Sequence, residues 1–282
     1  MKKLLALVLA VVMMLGIMSV ASAETVAPAD SLQAVLDAGV LKVGVDATFA
    51  PLTFKDADGN IVGYEVDLMN AVAAKLGVTI ELVEIDWAAI ETVLADGVVD
   101  CVWSGLAYTA ERDAVMTLSD AYLANTTSLM VAAGVESLED LTGKTVAIQT
   151  GSSMEDLLTD ELSDFAGTVI VVGMDTYETA FSALVNGATA EEVPSANDAL
   201  PAIDAIMISG LVANYNITTN EALAGYTVIE NLSEDPICVA FAKGNYKLCG
   251  AVEEALYTLA QEGTLATITT EWFGSDISLI GK

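Results

Sequence analysis

Alternating strands and helices are most evident in residues 41–104, which read LKVGVDATFAPLTFKDADGNIVGYEVDLMNAVAAKLGVTIELVEIDWAAIETVLADGVVDCVWS. In order along this stretch the pattern predicts a strand at 41–45, a turn-rich segment at 54–64, a helix at 64–76, a strand at 78–85, a helix at 87–95 and a strand at 98–104. The first of these helices carries apolar residues at helical spacing and ends at Gly77. This β-α-β-α-β order is typical of an open, largely parallel sheet in an α/β domain.

The same order begins again in the second half of the chain. Further strands are predicted at 128–132, 144–149, 168–172, 203–208 and 237–242, with helices from 151, from 176 and over 246–273. Two α/β lobes therefore fit the 282 residues better than one domain. Because sheets of this kind hold small molecules beyond their strand ends, we expect a ligand site between the lobes.

The first 23 residues have the composition of an export signal. Lysines stand at positions 2 and 3, residues 4–20 carry no charge, and a small-residue cleavage site, Ala-Ser-Ala, follows at 21–23. A short membrane anchor is the alternative, but the apolar stretch is slightly short and leads directly into the cleavage pattern. We therefore expect an exported protein, periplasmic or extracellular, with no lipid-anchor cysteine, since the first cysteine is Cys101.

The chain is strongly acidic. It has 10 Lys and Arg against 40 Asp and Glu, a formal charge of −30, which becomes −32 once the two lysines of the leader are removed. Such a surface repels phosphate backbones and anionic lipids, which excludes nucleic acid and a polybasic membrane patch. The sequence has no histidine, the commonest general base and zinc ligand. We therefore expect neither a metal site nor a cofactor.

The three cysteines, Cys101, Cys238 and Cys249, cannot all pair within one chain. A bridge between Cys238 and Cys249 would suit an exported protein. Buried free thiols are the preferred interpretation, because the first two cysteines lie in apolar runs.

Several short motifs occur in a fixed order from residue 41 to residue 274. They are VGVD at 43–46, FAPL at 49–52, VGYEVDL at 62–68, SGL at 104–106, TAER at 109–112, LSDAY at 118–122, DLTGKTVA at 140–147, QTGSS at 149–153 and EWFG at 271–274. With these motifs in this order, the chain resembles the solute-binding proteins of the polar amino-acid family, family 3, which serve ATP-driven importers.

The resemblance implies an α/β, two-lobe Venus-flytrap fold, the type II periplasmic binding protein fold, with mixed open sheets and two crossover hinge segments. Lobe one would hold residues 24–125 and 237–282, and lobe two residues 126–236. The implied function is the exported substrate-binding component of an ABC importer, a non-catalytic monomer that docks to a membrane permease. Its ligand would be a small zwitterion, an amino acid or close derivative. Closure of two lobes suits such a ligand, because each charge then meets a desolvated partner.

Arg112 is the strongest candidate for ligand binding. In the family pattern this arginine holds the ligand carboxylate with a bidentate pair of hydrogen bonds, a geometry that lysine cannot give. Surface pairing with Glu111 or Asp113 is the alternative. The other candidates that the resemblance supplies are Asp46, Phe49, Trp87, Ser104, Gly105, Ala107, Gln149, Ser152, Ser153 and Ser209.

Some of these candidates have specific expected roles. Asp46 matches the acidic position that helps hold the ligand ammonium, and an Asx turn is the alternative. Phe49 and Trp87 match aromatic positions beside ligand side chains, although aromatic residues more often belong to the core. Ser152 and Ser153 open a helix whose free N–H groups favour a carboxylate. A plain N-cap is the alternative there, and both roles are compatible.

One position departs from the family pattern. The strand at 203–208 should be followed by an aspartate that binds the ligand ammonium from lobe two, but the chain has Ser209, which supplies no charge. Either Asp46 or a shifted acid such as Asp175 compensates, or the ligand is not an ordinary α-amino acid. The long segment at 188–202 could also shift the register of this strand.

Two other functions compete with transport. A secreted lyase of the cyclohexadienyl dehydratase type would use the same scaffold, but it needs a general acid in the cleft, where the chain has Ser209. A ligand sensor that docks to a membrane receptor would use the same closure and would differ only in its partner.

Overall fold

The computed structural model describes residues 30–187 and 202–281. The expected leader at 1–23 and nearly all of the segment at 188–202 lie outside the described residues. Within the described ranges, no helix is both long and apolar enough to cross a membrane.

The described strands and helices alternate through most of the chain. The strands are β1 (Val40–Val45), β2 (Thr48–Phe49), β3 (Thr53–Lys55), β4 (Ile61–Val62), β5 (Thr79–Glu84), β6 (Cys101–Val102), β7 (Met116–Leu118), β8 (Thr126–Ala132), β9 (Thr145–Gln149), β10 (Ile170–Met174), β11 (Ala205–Ser209), β12 (Tyr226–Glu234) and β13 (Ala240–Ala242). The α-helices are α1 (Leu32–Ala38), α2 (Tyr64–Leu76), α3 (Ile90–Ala95), α4 (Ala110–Val115), α5 (Ser153–Thr159), α6 (Ser163–Ala166), α7 (Tyr177–Asn186), α8 (Gly210–Thr219), α9 (Tyr246–Gln261) and α10 (Thr264–Phe273).

Two five-stranded mixed sheets form the two lobes. The sheet of lobe one has the order β5-β1-β6-β13-β7, and that of lobe two has the order β10-β9-β11-β8-β12. In lobe one, β1 pairs in parallel with β5 and β6, and β13 runs antiparallel to β6 and β7. In lobe two, β9 pairs in parallel with β10 and β11, and β8 runs antiparallel to β11 and β12. A third, small antiparallel sheet joins β2, β3 and β4.

Each large sheet has a buried apolar core. In lobe one, Val43 and Val45 of β1 are buried with Leu68 of α2. In lobe two, Ile148 of β9 is buried with Phe165. Each such side chain contributes about 1.5–3 kcal/mol by leaving water. Apolar burial therefore stabilises each lobe.

Two crossovers join the lobes side by side. The chain leaves the first sheet after β7 and returns to it after β12. The N–H of Asp235 donates to the carbonyl of Asn125 at 3.0 Å, and the N–H of Ile237 donates to the carbonyl of Leu123 at 3.0 Å. The hinge is therefore a pair of hydrogen-bonded segments.

Several elements differ from the sequence prediction. The strands expected at 98–104 and 237–242 are shorter, with β6 at Cys101–Val102 and β13 at Ala240–Ala242. The turn-rich stretch at 54–64 contains β4 and part of β3. The sequence analysis also missed β2, β7, β12, α4 and α8.

All three cysteines of the sequence are buried free thiols. The alternative bridge between Cys238 and Cys249 is therefore absent. Burial raises the pKa of both these thiols to about 12 and that of Cys101 further still. They behave as apolar core groups.

Candidate functional site

A narrow cavity lies between the lobes, beside the hinge. Its lining comprises Asp46, Phe49, Trp87, Ser104, Gly105, Ala107, Arg112, Gln149, Ser152, Ser153, Met154, Tyr177, Ser209 and Asp235. All eleven candidates from the sequence are in this set. Met154, Tyr177 and Asp235 are the three lining residues that sequence reasoning missed.

Arg112 is buried in the cavity wall, with 7% of its surface exposed. It lies in α4, which the side chain of Thr109 caps by accepting the N–H of Arg112. Its guanidinium donates to the carbonyl of Ala107 at 2.8 Å and, across the cleft, to that of Gly151 at 3.0 Å. Burial lowers the pKa of Arg112, and the charge of Asp235 opposes this shift. Two of the five guanidinium N–H groups donate in these two contacts.

The loop after β6 is held by a buried acid, Glu65. Both carboxylate oxygens of Glu65 accept the N–H of Gly105, at 2.8 and 3.0 Å, and the hydroxyl of Tyr122 also donates to Glu65. Gly105 has φ of +64°, and a Cβ there would lie 2.2 Å from the ring of Phe49. The sequence needs glycine at this point because the loop approaches an aromatic wall of the cavity.

Stability should depend on pH through Glu65. Burial raises the pKa of Glu65 to about 7 from its ordinary value of 4.5. Between these values the folded protein keeps a proton that the unfolded chain loses, so Glu65 contributes stability below pH 4.5 that disappears as pH rises through 7. As the pH rises from 5 to 8, we expect this carboxyl to reduce the free energy of unfolding by roughly 2–3 kcal/mol.

Urea unfolding at both pH values tests this expectation. Glu65→Gln should lose most of this pH dependence, whereas Glu81→Gln, at an exposed position of β5, should keep it. An equal pH dependence in wild type and Glu65→Gln would contradict the assignment.

Asp46 directly follows β1, and its side chain contacts lobe two. Its carboxylate accepts the N–H and the hydroxyl of Thr48, at 2.9 and 2.6 Å, and the side-chain amide of Gln149 at 2.7 Å. The Asx turn and the cavity position therefore coexist. The hydroxyl of Ser104 is held by backbone, accepting the N–H of Asp46 at 3.0 Å.

The segment from β9 to α5 supplies the wall of lobe two. The hydroxyl of Ser152 donates to the carbonyl of Gln149 at 2.7 Å and does not cap α5, so the plain N-cap interpretation is wrong. The hydroxyl of Ser153 donates to Asp235 at 3.2 Å. Between these elements, Gly151 has φ of +76°, and a Cβ there would lie 2.9 Å from the backbone of Ala88 in lobe one.

An aromatic pair closes one side of the cavity across the cleft. Phe49 of lobe one stacks on Tyr177 of lobe two with ring centroids 5.4 Å apart. Trp87 is buried in the turn of 3-10 helix before α3. Tyr177 begins a helix capped by Thr176, and this N-cap pattern was the available signal for its position.

Ser209 lies at the end of β11, inside a polar chain. Its hydroxyl donates to the side-chain carbonyl of Asn125 at 2.7 Å. The amide of Asn125 in turn donates to the backbone and side-chain oxygens of Asp235, at 3.2 and 3.3 Å. Burial raises the pKa of Asp235, and Arg112, Ser153 and Asn125 oppose the shift.

Asp175, the shifted acid considered from the sequence, is exposed and does not line the cavity. Only its backbone carbonyl approaches the site, by accepting the amide of Gln149 at 3.2 Å. The overlooked acid of the cavity is Asp235, which follows the last strand of lobe two and precedes Pro236. An acid next to a predicted crossover was the signal that could have identified it.

Comparisons with known proteins agree with this architecture. A family model described as bacterial extracellular solute-binding proteins, family 3, matches residues 41–275. The L-cystine-binding protein TcyJ of Escherichia coli (strain K12) is 28% identical over 275 residues, which are 94% of this chain and 96% of that protein.

Solved structures show the same fold. The structure of an ABC uptake transporter substrate binding protein from Streptococcus pneumoniae with bound histidine has a TM-score of 0.80 and 27% identity, covering 89% of this chain and 98% of that one. The ancestral amino acid-binding protein AncCDT-1, a precursor of cyclohexadienyl dehydratase, has a TM-score of 0.72 and 28% identity, covering 86% and 99%.

Proposed function

Because this chain belongs to the bacterial extracellular solute-binding proteins, family 3, we propose that it is the exported substrate-binding component of an ABC importer. Its lobes, residues 24–125 with 237–282 and residues 126–236, close on a small zwitterion, an amino acid or close derivative. The closed form docks as a monomer to a membrane permease. The leader at 1–23 directs export.

The observation that carries this proposal is the setting of Arg112. A buried guanidinium held by two backbone carbonyls, one from each lobe, is a preformed receptor for a carboxylate. The bond to Gly151 exists only while the lobes are together, so the same group links anion binding to closure. Phe49 and Tyr177 across the cleft supply apolar surface for the rest of the ligand.

The charges of the cavity restrict the ligand further. Two carboxyl groups, Asp46 and Asp235, face one guanidinium in the lining. A second carboxylate on the ligand would be buried without a cationic partner, which is costly. The cavity therefore favours neutral or basic amino acids over acidic ones.

Thermal-shift measurements on the mature protein with the twenty L-amino acids and L-cystine, each at 1 mM, test the proposal. A ligand bound with Kd of about 1 µM should add about 4 kcal/mol to the stability and raise Tm by roughly 8–16 °C. L-Glutamate and L-aspartate should give the smallest shifts. If no amino acid raises Tm, the proposed function is wrong.

A lyase on the same fold is the second candidate, because Asp235 is a buried carboxyl with a raised pKa inside the cavity, as a general acid requires. Incubation with prephenate and arogenate distinguishes the two functions, and we expect no turnover. A ligand sensor would share every binding property and would be recognised by a receptor gene, in place of permease genes, beside its own.

A further inference from the structure

Asp235 is a buried acid in the same cavity as Arg112, the proposed carboxylate-binding group. Among the charged groups that act on Arg112, Asp235 has the largest effect. The ion pairs of the described residues under 4.0 Å are Lys55–Glu84, Lys75–Glu262 and Lys144–Asp204, so Asp235 and Arg112 face the cavity without direct contact. The two opposite charges are thus buried beside one another with space between them.

The partners of Asp235 leave its negative charge under-compensated. Its carboxylate accepts from Ser153 at 3.2 Å and from Asn125 at 3.3 Å, both neutral donors with rather long bonds. Only 8% of its surface is exposed. A buried carboxylate in this setting is stabilised by a cation that enters the cavity.

Asp46 is already engaged by comparison. It accepts three hydrogen bonds of 2.6–2.9 Å from Thr48 and Gln149, which satisfy most of the acceptor capacity of a carboxylate. In an α-amino acid the ammonium and the carboxylate are attached to the same carbon. When the carboxylate lies on Arg112, the ammonium must therefore lie close by, and Asp235 is the lining acid whose carboxylate accepts fewer hydrogen bonds.

The polar chain from Ser209 fixes the direction of this acid. Because the hydroxyl of Ser209 donates to the Oδ1 of Asn125, the Nδ2 of that residue must face Asp235. Ser209 therefore acts on the carboxylate through Asn125, although it has no charge itself.

From these contacts we propose, on the basis of the proposed function above, that Asp235 binds the α-ammonium of an amino-acid ligand and that Ser209 positions it through Asn125. The ligand class is then α-amino acids with a free ammonium. The acid that the sequence lacks after β11 is supplied by the second crossover of the hinge.

The experiment compares each amino acid with the same molecule lacking its ammonium. Calorimetry uses L-arginine, L-histidine, L-glutamine and L-cystine, any further amino acid that raises Tm in the panel above, and the corresponding des-amino acids. For Asp235→Asn we expect at least a tenfold loss of affinity for the amino acid and an unchanged or higher affinity for the des-amino acid. Asp175→Asn, which changes an exposed acid outside the cavity, should bind as wild type does.

Ser209→Ala keeps the test available if Asp235→Asn does not fold. It should lower the affinity for the amino acid three- to tenfold and leave the des-amino acid unaffected, a difference that general loosening of the fold would not produce. Equal changes for both ligands in Asp235→Asn would mean that Asp235 only compensates the charge of Arg112, and would overturn the inference. Binding of no amino acid by wild type would instead overturn the proposed function.

Discussion

Replacing Arg112 with methionine should lower the affinity for an amino acid by at least a hundredfold. The sequence contains no other arginine, and its guanidinium is held by Ala107 and Gly151 in the cavity wall. Each charge-assisted hydrogen bond to a ligand carboxylate contributes about 1.5–3 kcal/mol, so loss of the bidentate pair costs roughly 3 kcal/mol or more. Calorimetry well below Tm measures this, with circular dichroism as the check on folding.

Arg112→Lys separates charge from geometry. Lysine keeps the positive charge but loses the planar pair of donors, and we expect at least a tenfold loss of affinity. Lys144→Met is the matched control, because it removes an exposed positive charge that pairs with Asp204 at 3.2 Å, outside the cavity lining. Unchanged affinity in Arg112→Lys would remove this residue from the carboxylate site.

Gly63→Ala should cause a large loss of stability. Gly63 has φ of +138° and ψ of 173°, a conformation that is essentially restricted to glycine. A Cβ there would lie 2.1 Å from the carbonyl oxygen of Leu52. That carbonyl cannot move freely, since it accepts the N–H of Glu65 at 3.1 Å. We expect about 4 kcal/mol of destabilisation, combining backbone strain with displacement of the loop.

Urea unfolding of three proteins tests this expectation. Gly59→Ala is the control, because Gly59 also has a positive φ, +84°, but a Cβ there would meet nothing within 4 Å. It should cost about 1 kcal/mol. Similar losses for the two variants would show that the close contact at Gly63 relaxes without cost.

Much of the fold follows from local sequence patterns. The helix at 64–76 has the predicted bounds because apolar spacing, a flanking glycine on each side and the following strand all agree. The two-lobe fold and the family are confirmed. The two-residue strands β2 and β4 escape pattern analysis, because so few residues show no alternation. The longer β12 was missed, and its register with β8 shifts between Ile229 and Ser233.

The candidate site was also predicted only in part from the sequence. The eleven residues taken from the family resemblance all line one cavity, and most of them lie where a strand or helix of a lobe ends at the cleft. Asp235 belongs to none of the quoted motifs. Its position in the site depends on a long-range hydrogen bond from Asn125, 110 positions earlier. The role of Ser209 likewise depends on Asn125, 84 positions earlier. Contacts of this kind depend on how two crossovers pack, which sequence spacing does not encode.

Because Cys101, Cys238 and Cys249 are buried, the native protein should not react with thiol-specific dyes. A thiol in the core is inaccessible and almost fully protonated at pH 8. A cysteine introduced at exposed Glu81 in lobe one and another at exposed Thr159 in lobe two would then be the reactive positions in the folded chain. A donor and an acceptor fluorophore at these positions would follow the distance between the lobes by energy transfer. The proposed closure on a ligand would thus become observable in single molecules, without removal of any natural cysteine.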